Sequence, residues 1–302
     1  NMIKYFFIII LLYLIPLACI AQNDMQISNF MFSNLQYNPA FAGQTKMINA
    51  GLLAREQWTG LKSAPSTQVL NGDMWFKFGG LGLSVINDRL GYEHSFRFNA
   101  LYAYHYRLSN KMQVSAGAGL GIINKSLQGS QLIYVSQNDQ NAITTDISEY
   151  NANIDLGLSI VYDKLIAGVS CTHINKSVKA SDFTTPPRHL WIYAKYSYTL
   201  NDLIKLQPSL LLKSAFFKTQ LEINTNCLLK DKYWVGLTYR HKESVVALIG
   251  IQLNQHIKAG YSYDLPFGPI KGQSYGNHEI FLIYSIDRKL DLPVFDNNPR
   301  YL

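Results

Sequence analysis

The side chains of this 302-residue sequence that could do chemistry are seven histidines, three cysteines and a regular series of charged residues. The histidines are dispersed. None forms a His-x-x-x-His pair, and none joins the cysteines at the spacing of a metal centre. Ser170 and His173 are close enough in the chain to suggest a nucleophile and its base, as an outer-membrane lipase would need. A polar orienting group is missing from that pattern, and a serine and a histidine in one hairpin are ordinarily incidental. Gly79-Gly80-Leu81-Gly82 has the glycine content of a phosphate-binding turn, but no helix follows it, so it fails the structural context of a dinucleotide site. Asn71, Asp73, Lys77, Arg97, Asp155, Lys195, Lys213, Glu222 and Arg240 are polar positions inside otherwise apolar segments. Acids and bases both occur among them. A solvated, mutually neutralised interior accounts for them without catalysis. The chain is expected to be no enzyme and to carry no metal and no cofactor.

What places those residues is a period of two. In the segment 95–107, Phe96, Phe98, Ala100, Tyr102, Tyr104 and Tyr106 fall on one parity. Ser95, Arg97, Asn99, Ala103, His105 and Arg107 fall on the other, with Leu101 out of place. Successive strand side chains point to opposite faces, so this is a strand with one apolar and one wet face. Similar segments recur at about 46–57, 67–78, 80–88, 94–107, 111–124, 151–162, 164–172, 189–200, 203–214, 217–229, 232–242, 244–253, 256–264 and 277–288. About fourteen long strands with a Tyr- and Phe-rich apolar parity read as a transmembrane antiparallel β-barrel. Charge on the lipid face costs ~2–4 kcal/mol for Lys or Arg at the midplane, so the polar parity faces the lumen. Long connections at odd positions (58–66, 125–150, 173–188, 265–276) alternate with tight turns at even ones, which puts the long loops outside and the N-terminus in the periplasm. Pro208 is the one proline inside a strand and marks a bulge or a weak point in its ladder.

The chain divides into a signal peptide over 1–21, an N-terminal segment over 22–45, the barrel over 46–288 and a tail over 289–302. Lys4, the apolar run 5–17 and Cys19-Ile20-Ala21 carry the signal-peptide reading. No later run reaches the ~18–20 apolar residues of a spanning helix. The formal net charge is +7, but Lys and Arg are scattered over turns and the wet parity, which excludes a nucleic-acid surface. Cys171 and Cys227 both sit on the apolar parity and imply no disulfide framework. Gly117, Gly119 and Gly121 occupy one parity of a single strand. Such a stripe marks either barrel curvature or close approach by another backbone. The second reading places the 22–45 segment in the lumen against it.

That segment also carries a resemblance. Gln36-Tyr37-Asn38-Pro39-Ala40-Phe41-Ala42-Gly43 resembles the N-terminal signature of the PorP/SprF family of outer-membrane barrels, found in the type IX secretion and gliding-motility systems of Bacteroidota. Arg55-Glu56-Gln57-Trp58 is similar to the family's Arg-x-Gln-Trp, and pieces such as Trp234-Val235-Gly236 and Gly260-Tyr261-Ser262 continue the likeness through the mature chain. The resemblance implies signature residues Asn38, Pro39, Ala40, Phe41, Ala42, Gly43, Arg55, Gln57 and Trp58, and no catalytic ones. It implies a role in secreting or anchoring a cargo protein at the cell surface, such as an adhesin with a C-terminal sorting domain. Implied partners are outer-membrane lipid, a periplasmic peptidoglycan-binding protein and other type IX components. The alternative function is an outer-membrane solute channel. The loop over 125–150 is the best recognition element, with Leu132-Ile133-Tyr134-Val135 able to add a strand to a partner by edge pairing.

Overall fold

The computed structural model of the chain describes residues 24–134, 142–175, 186–267 and 272–287. The signal-peptide segment 1–21 and the tail 289–302 lie outside the described residues, as does the centre of the long loop after residue 134. The strands are β1 (Met47–Glu56), β2 (Ser66–Phe76), β3 (Gly79–Leu90), β4 (Glu93–Ser109), β5 (Met112–Leu127), β6 (Ile147–Tyr162), β7 (Leu165–Thr172), β8 (His189–Tyr196), β9 (Tyr198–Asn201), β10 (Ile204–Ser214), β11 (Thr219–Leu229), β12 (Tyr233–Arg240), β13 (Ser244–Gln252), β14 (Ile257–Pro266) and β15 (Asn277–Asp287). Sequence neighbours pair antiparallel, except that β8 and β9 both pair with β10, and β1 pairs with β15 from Met47↔Asp287 to Glu56↔His278. That last ladder closes the sheet and removes both edges.

β8 and β9 are one stave with a break at Ser197, so the closed barrel has fourteen staves. The break has a local cause. β10 pairs with β8 down to Ser209↔Lys195 and with β9 from Leu206↔Tyr198, which leaves Gln207 and Pro208 opposite the gap. Proline has no N–H to give to a ladder, and the partner strand loses its pairing there. At the tightest hairpins, the chain takes left-handed backbone: Lys230 and Asp231 have φ of 52° and 51°, and Lys232 N–H donates to Leu229 O at 3.0 Å. Two positive φ values in the centre of a four-residue turn match the right-handed twist of the flanking strands.

The alternation decides inside from outside. On β4, Phe98, Tyr102, Tyr104 and Tyr106 are exposed on the outer face, while Arg97, Asn99, Leu101 and Ala103 are buried on the inner one. Cys171 and Cys227 are unbonded and lie on the outer parity, each flanked by buried inward residues. In reconstituted bilayers, a membrane-permeant maleimide is expected to label both, and a charged, impermeant thiol reagent neither. Labelling by the charged reagent would place these faces in water.

The two mouths differ. One carries turns of two to four residues between β2 and β3, β4 and β5, β6 and β7, β9 and β10, β11 and β12, and β13 and β14. The other carries all four long connections, residues 57–65, 128–146, 173–188 and 267–276. Two details differ from the sequence reading. Lys77 lies exposed in the β2–β3 turn, where a two-residue connection takes it off the wall. The 125–150 loop is shorter than its polarity suggested, because β5 and β6 stay paired as far as Leu127↔Ile147. Leu132, Ile133 and Tyr134 form no strand. The Tyr134 hydroxyl instead clamps the Ile143 backbone, donating to its carbonyl at 3.0 Å and accepting its N–H at 2.9 Å.

Candidate functional site

The chain's own residues 24–43 occupy the lumen, with a cavity of about 380 Å³ left between Phe32, Leu35 and the wall residues Lys195, Trp234 and Lys258. Two single-turn 3-10 helices, Phe30–Phe32 and Pro39–Phe41, give that segment its shape. Asn38 caps the second: its Oδ1 accepts Ala40 N–H at 2.9 Å, and Pro39 supplies a preset φ at the first helical position. The same Asn38 reaches the wall, donating from Nδ2 to Leu158 O at 3.1 Å and Val169 O at 3.4 Å. Asn38→Ala removes the cap and leaves a buried strand carbonyl short of a donor. It should cost about 2 kcal/mol, read as a lower urea midpoint for the heat-modifiable folded band in detergent micelles.

Glycines make the room. A Cβ on Gly80 would lie 1.8 Å from Ala42 O, one on Gly117 2.4 Å from Ala40 N, and one on Gly157 2.0 Å from Asn38 Oδ1. Gly43 itself turns with φ +68° against the Gly80 Cα. Gly119 and Gly121 of the expected stripe do not meet the segment. Their inner faces are covered by Leu101 and Asn99 of the neighbouring strand, which lean over the missing side chains.

Wall side chains meet the backbone groups that a buried loop would otherwise leave unpaired. Ser159 Oγ donates to Ala40 O (3.3 Å), and Ser170 Oγ to Tyr37 O (2.5 Å). His105 Nε2 contacts Ala42 O at 2.8 Å, and Gly43 N–H donates to Asp73 Oδ2 at 2.8 Å. Ser170 thus donates to the plug.

Apolar residues on the inner face complete the seat. Tyr37 stacks on Trp191 with ring centroids 5.6 Å apart, Phe30 and Phe41 meet Tyr193 edge-on, and Phe32 stacks on Phe281 at 4.6 Å. Leu101, Leu211, Leu228, Trp234 and Leu248 belong to the same cluster. Burial pushes the Tyr37 phenol well above its ordinary pKa, so it stays a donor to Phe30 O at 2.9 Å.

At the long-loop mouth the plug is keyed by charge. Arg55 is fully buried at the end of β1 and donates to Ser28 Oγ (2.7 Å), Asp264 Oδ2 (2.7 Å) and Glu279 Oε2 (3.1 Å). Arg240, also fully buried, joins Asp264 (2.9 Å) and Glu222 (3.2 Å). Ser28 N–H, Asn29 N–H and Asn29 Nδ2 all donate to Glu279. These charges are dry and paired beneath the plug, where the sequence suggested a solvated lining. Gln57 and Trp58 sit just beyond β1. Gln57 N–H bonds to Pro65 O (2.9 Å), and Trp58, at φ 48°, gives its N–H to Asn277 Oδ1 (2.8 Å).

Asp24, the first described residue, also lies at the long-loop mouth, although β1 begins at the short-turn mouth. The segment therefore runs the length of the lumen. Asp24 pairs with Arg97 at 2.6 Å and faces His173 and His189. Burial raises its carboxyl pKa, but Arg97 and the two imidazoles outweigh it and hold the group well below the usual carboxylate range. Histidine spacing along the chain gave no sign of this grouping, because its members come from the plug, the β7–β8 connection and β8. The apolar inward residues did leave a sign: Leu101 breaks the wet parity of β4 because it faces the plug.

A closed fourteen-stave barrel with an aromatic outer belt and an internally filled lumen defines an outer-membrane β-barrel protein. Residues 19–284 match the family model for the type IX secretion system membrane protein PorP/SprF, and the chain belongs to that family. Among solved structures, the Ralstonia pickettii toluene transporter TbuX aligns with a TM-score of 0.51 and 10% identity, over 85% of this chain and 92% of that one. The Pseudomonas putida toluene transporter TodX aligns with a TM-score of 0.50 and 11% identity, over 89% and 95%. At such identities the likeness is one of fold. No curated protein matches the sequence.

Proposed function

We propose that this barrel holds a secreted protein at the cell surface as part of a type IX system. The barrel is the membrane anchor and the long-loop mouth is the recognition surface, facing outward. The observation that carries this reading is the keyed plug. Arg55, Asp264, Glu279 and Arg240 tie residues 28–29 to β1, β12, β14 and β15 at the long-loop mouth, which puts buried protein where a channel would open. A filled lumen leaves the rim as the surface with work to do. The segment Asn38–Gly43 acts as the key that sets plug and wall in register, and it takes no part in catalysis. The family supports contacts with other secretion components, and a peptidoglycan-binding protein at the short-turn mouth fits that arrangement.

The test is site-specific photocrosslinking in intact cells from Ile133 (97% exposed) and Tyr275 (78% exposed) on the long-loop rim. The expected result is capture of an exported protein with a C-terminal sorting domain. Failure to capture such a protein from either position, together with solute uptake by liposomes containing the barrel, would favour the channel reading instead.

A further inference from the structure

Asp24, His173 and His189 converge at the long-loop mouth, with one ligand-type atom from each lying within 4.8 Å of the others. Both imidazoles are fully buried and both are oriented from behind. His173 Nδ1 lies 2.6 Å from Asn153 Oδ1. The Asn153 amide is fixed in that sense because its Nδ2 donates to Asn99 Oδ1 (3.0 Å) and Asp155 Oδ2 (2.9 Å). His189 Nδ1 lies 2.9 Å from Pro187 O. A carbonyl oxygen can only accept, so each Nδ1 carries a proton, and in the neutral imidazole that metal binding requires each Nε2 offers its lone pair. This is the outer-shell arrangement that prepares histidines as metal ligands.

The two lone pairs lack good partners. His173 Nε2 has no hydrogen-bond partner and faces Asp24 Oδ2 at 3.6 Å. His189 Nε2 receives only a long contact, 3.3 Å, from Asp24 N–H. A tetrahedral ion with bonds of ~2.0–2.1 Å holds its ligand atoms roughly 3.4 Å apart, close to the 3.6 Å between His173 Nε2 and Asp24 Oδ2 and inside the 4.8 Å that spans all three ligand atoms. Arg97 holds Asp24 Oδ1 tightly at 2.6 Å and reaches Oδ2 only at 3.4 Å, so Oδ2 is the oxygen that can act as a monodentate ligand. The formal charge suits a dication. Arg97 and Lys213 face the cluster, and Asp24, Asp155 and Asp88 oppose them, three carboxylates against two cations.

We propose that Asp24, His173 and His189 bind a divalent transition ion, Zn²⁺ before others, with water in the fourth position, and that the ion clips the first residues of the plug to the barrel wall. Two imidazoles and one carboxylate on a closed, buried site match the ligand preference of Zn²⁺ and disfavour Mg²⁺ and Ca²⁺, which take oxygen ligands. The site joins three separate parts of the chain, so binding resists withdrawal of the plug from this mouth. The role is structural and independent of cargo recognition.

The experiment uses the full chain in detergent micelles, stripped with EDTA and titrated with Co²⁺ as the spectroscopic probe. The expected result is one Co²⁺ per chain with the intense visible bands of a tetrahedral N/O site, displaced by one equivalent of Zn²⁺. His173→Gln and His189→Gln should each abolish the bands in chains that keep the heat-modifiable folded mobility. Asn153→Ala touches no ligand atom directly and should weaken Co²⁺ affinity about 10–100-fold, which keeps the assignment testable if the histidine variants do not fold. Folded wild-type protein that shows no tetrahedral bands at saturating Co²⁺ would overturn the proposal. So would bands that persist unchanged in the Asn153→Ala and His→Gln chains, and an imidazole–carboxylate hydrogen-bond cluster would then be the assignment.

Discussion

Arg55→Met should lower the stability of the folded barrel by about 3–5 kcal/mol, the range for removing one partner from a buried ion pair. Arg55 is the shared donor to Asp264, Glu279 and Ser28, and all four residues are fully buried. Without it, two carboxylates remain in a dry site with Arg240 as their only guanidinium. Coupling can be separated from simple damage. The double variant Arg55→Met, Glu279→Met removes charge from both sides and should recover a large part of the loss, because replacing a whole buried pair by apolar groups is often near neutral. Urea midpoints of tryptophan fluorescence in micelles read both values. A double-variant loss equal to the sum of the losses in Arg55→Met and Glu279→Met alone would mean that Arg55 and Glu279 do not act on one another.

Gly80→Val should drive the Asn38–Gly43 turn from its seat. The new Cβ would meet Ala42 O at 1.8 Å and Ala42 C at 2.4 Å, and both are backbone atoms that no rotamer change can move aside. Gly117→Val meets Pro39 C and Ala40 N at 2.5 and 2.4 Å and should act the same way from two staves further along the wall, where Ala103 of β4 pairs with both glycines. Both chains are expected to form barrels, since the glycine inner faces abut the plug and their ladders are otherwise regular. Their conductance in planar bilayers should rise steeply over wild type. Gly119→Ala is the control. Its Cβ meets Leu101 Cδ2 at 2.9 Å, the far end of a flexible side chain that can shift, so conductance should stay at the wild-type level.

Most of the barrel was legible from the sequence because period-two alternation is a local signal. β4 was bounded at 94–107 and runs from Glu93 to Ser109, and β7 was bounded at 164–172 and runs from Leu165 to Thr172. Turn position was harder at Lys77, whose parity suited the wall while the two-residue hairpin demanded a turn. The plug was legible only as a non-strand stretch. Its 3-10 turns have no period, and its partners lie more than a hundred residues away in the chain, as with Asn38 and Leu158. The glycine stripe pointed to the right wall through Gly117, and Gly157 and Gly168 of the next two strands face Asn38. Leu101 held the most direct information. An apolar residue on a lumen face is costly in a water-filled pore and stabilising against a protein plug, so its presence, with Trp191, Leu211 and Leu248, was the sequence mark of a filled lumen.

The grouping of Asp24 with two histidines shows the limit of spacing arguments from the other side. Metal-like clusters are recognised in sequence when two ligands share one turn or one hairpin. Here a long β7–β8 connection separates the histidines in sequence and the plug supplies the carboxylate, so it takes β7–β8 pairing and insertion of the plug to bring them together.

The central claim is that this chain fills its own lumen and works from its rim. Single-channel recording of the full-length wild-type protein in planar bilayers tests it most directly. The account expects no steady ohmic conductance until the plug is displaced, with Gly80→Val opening a stable pore under the same conditions. A wild-type barrel that conducts steadily, at a level Gly80→Val does not change, would contradict it.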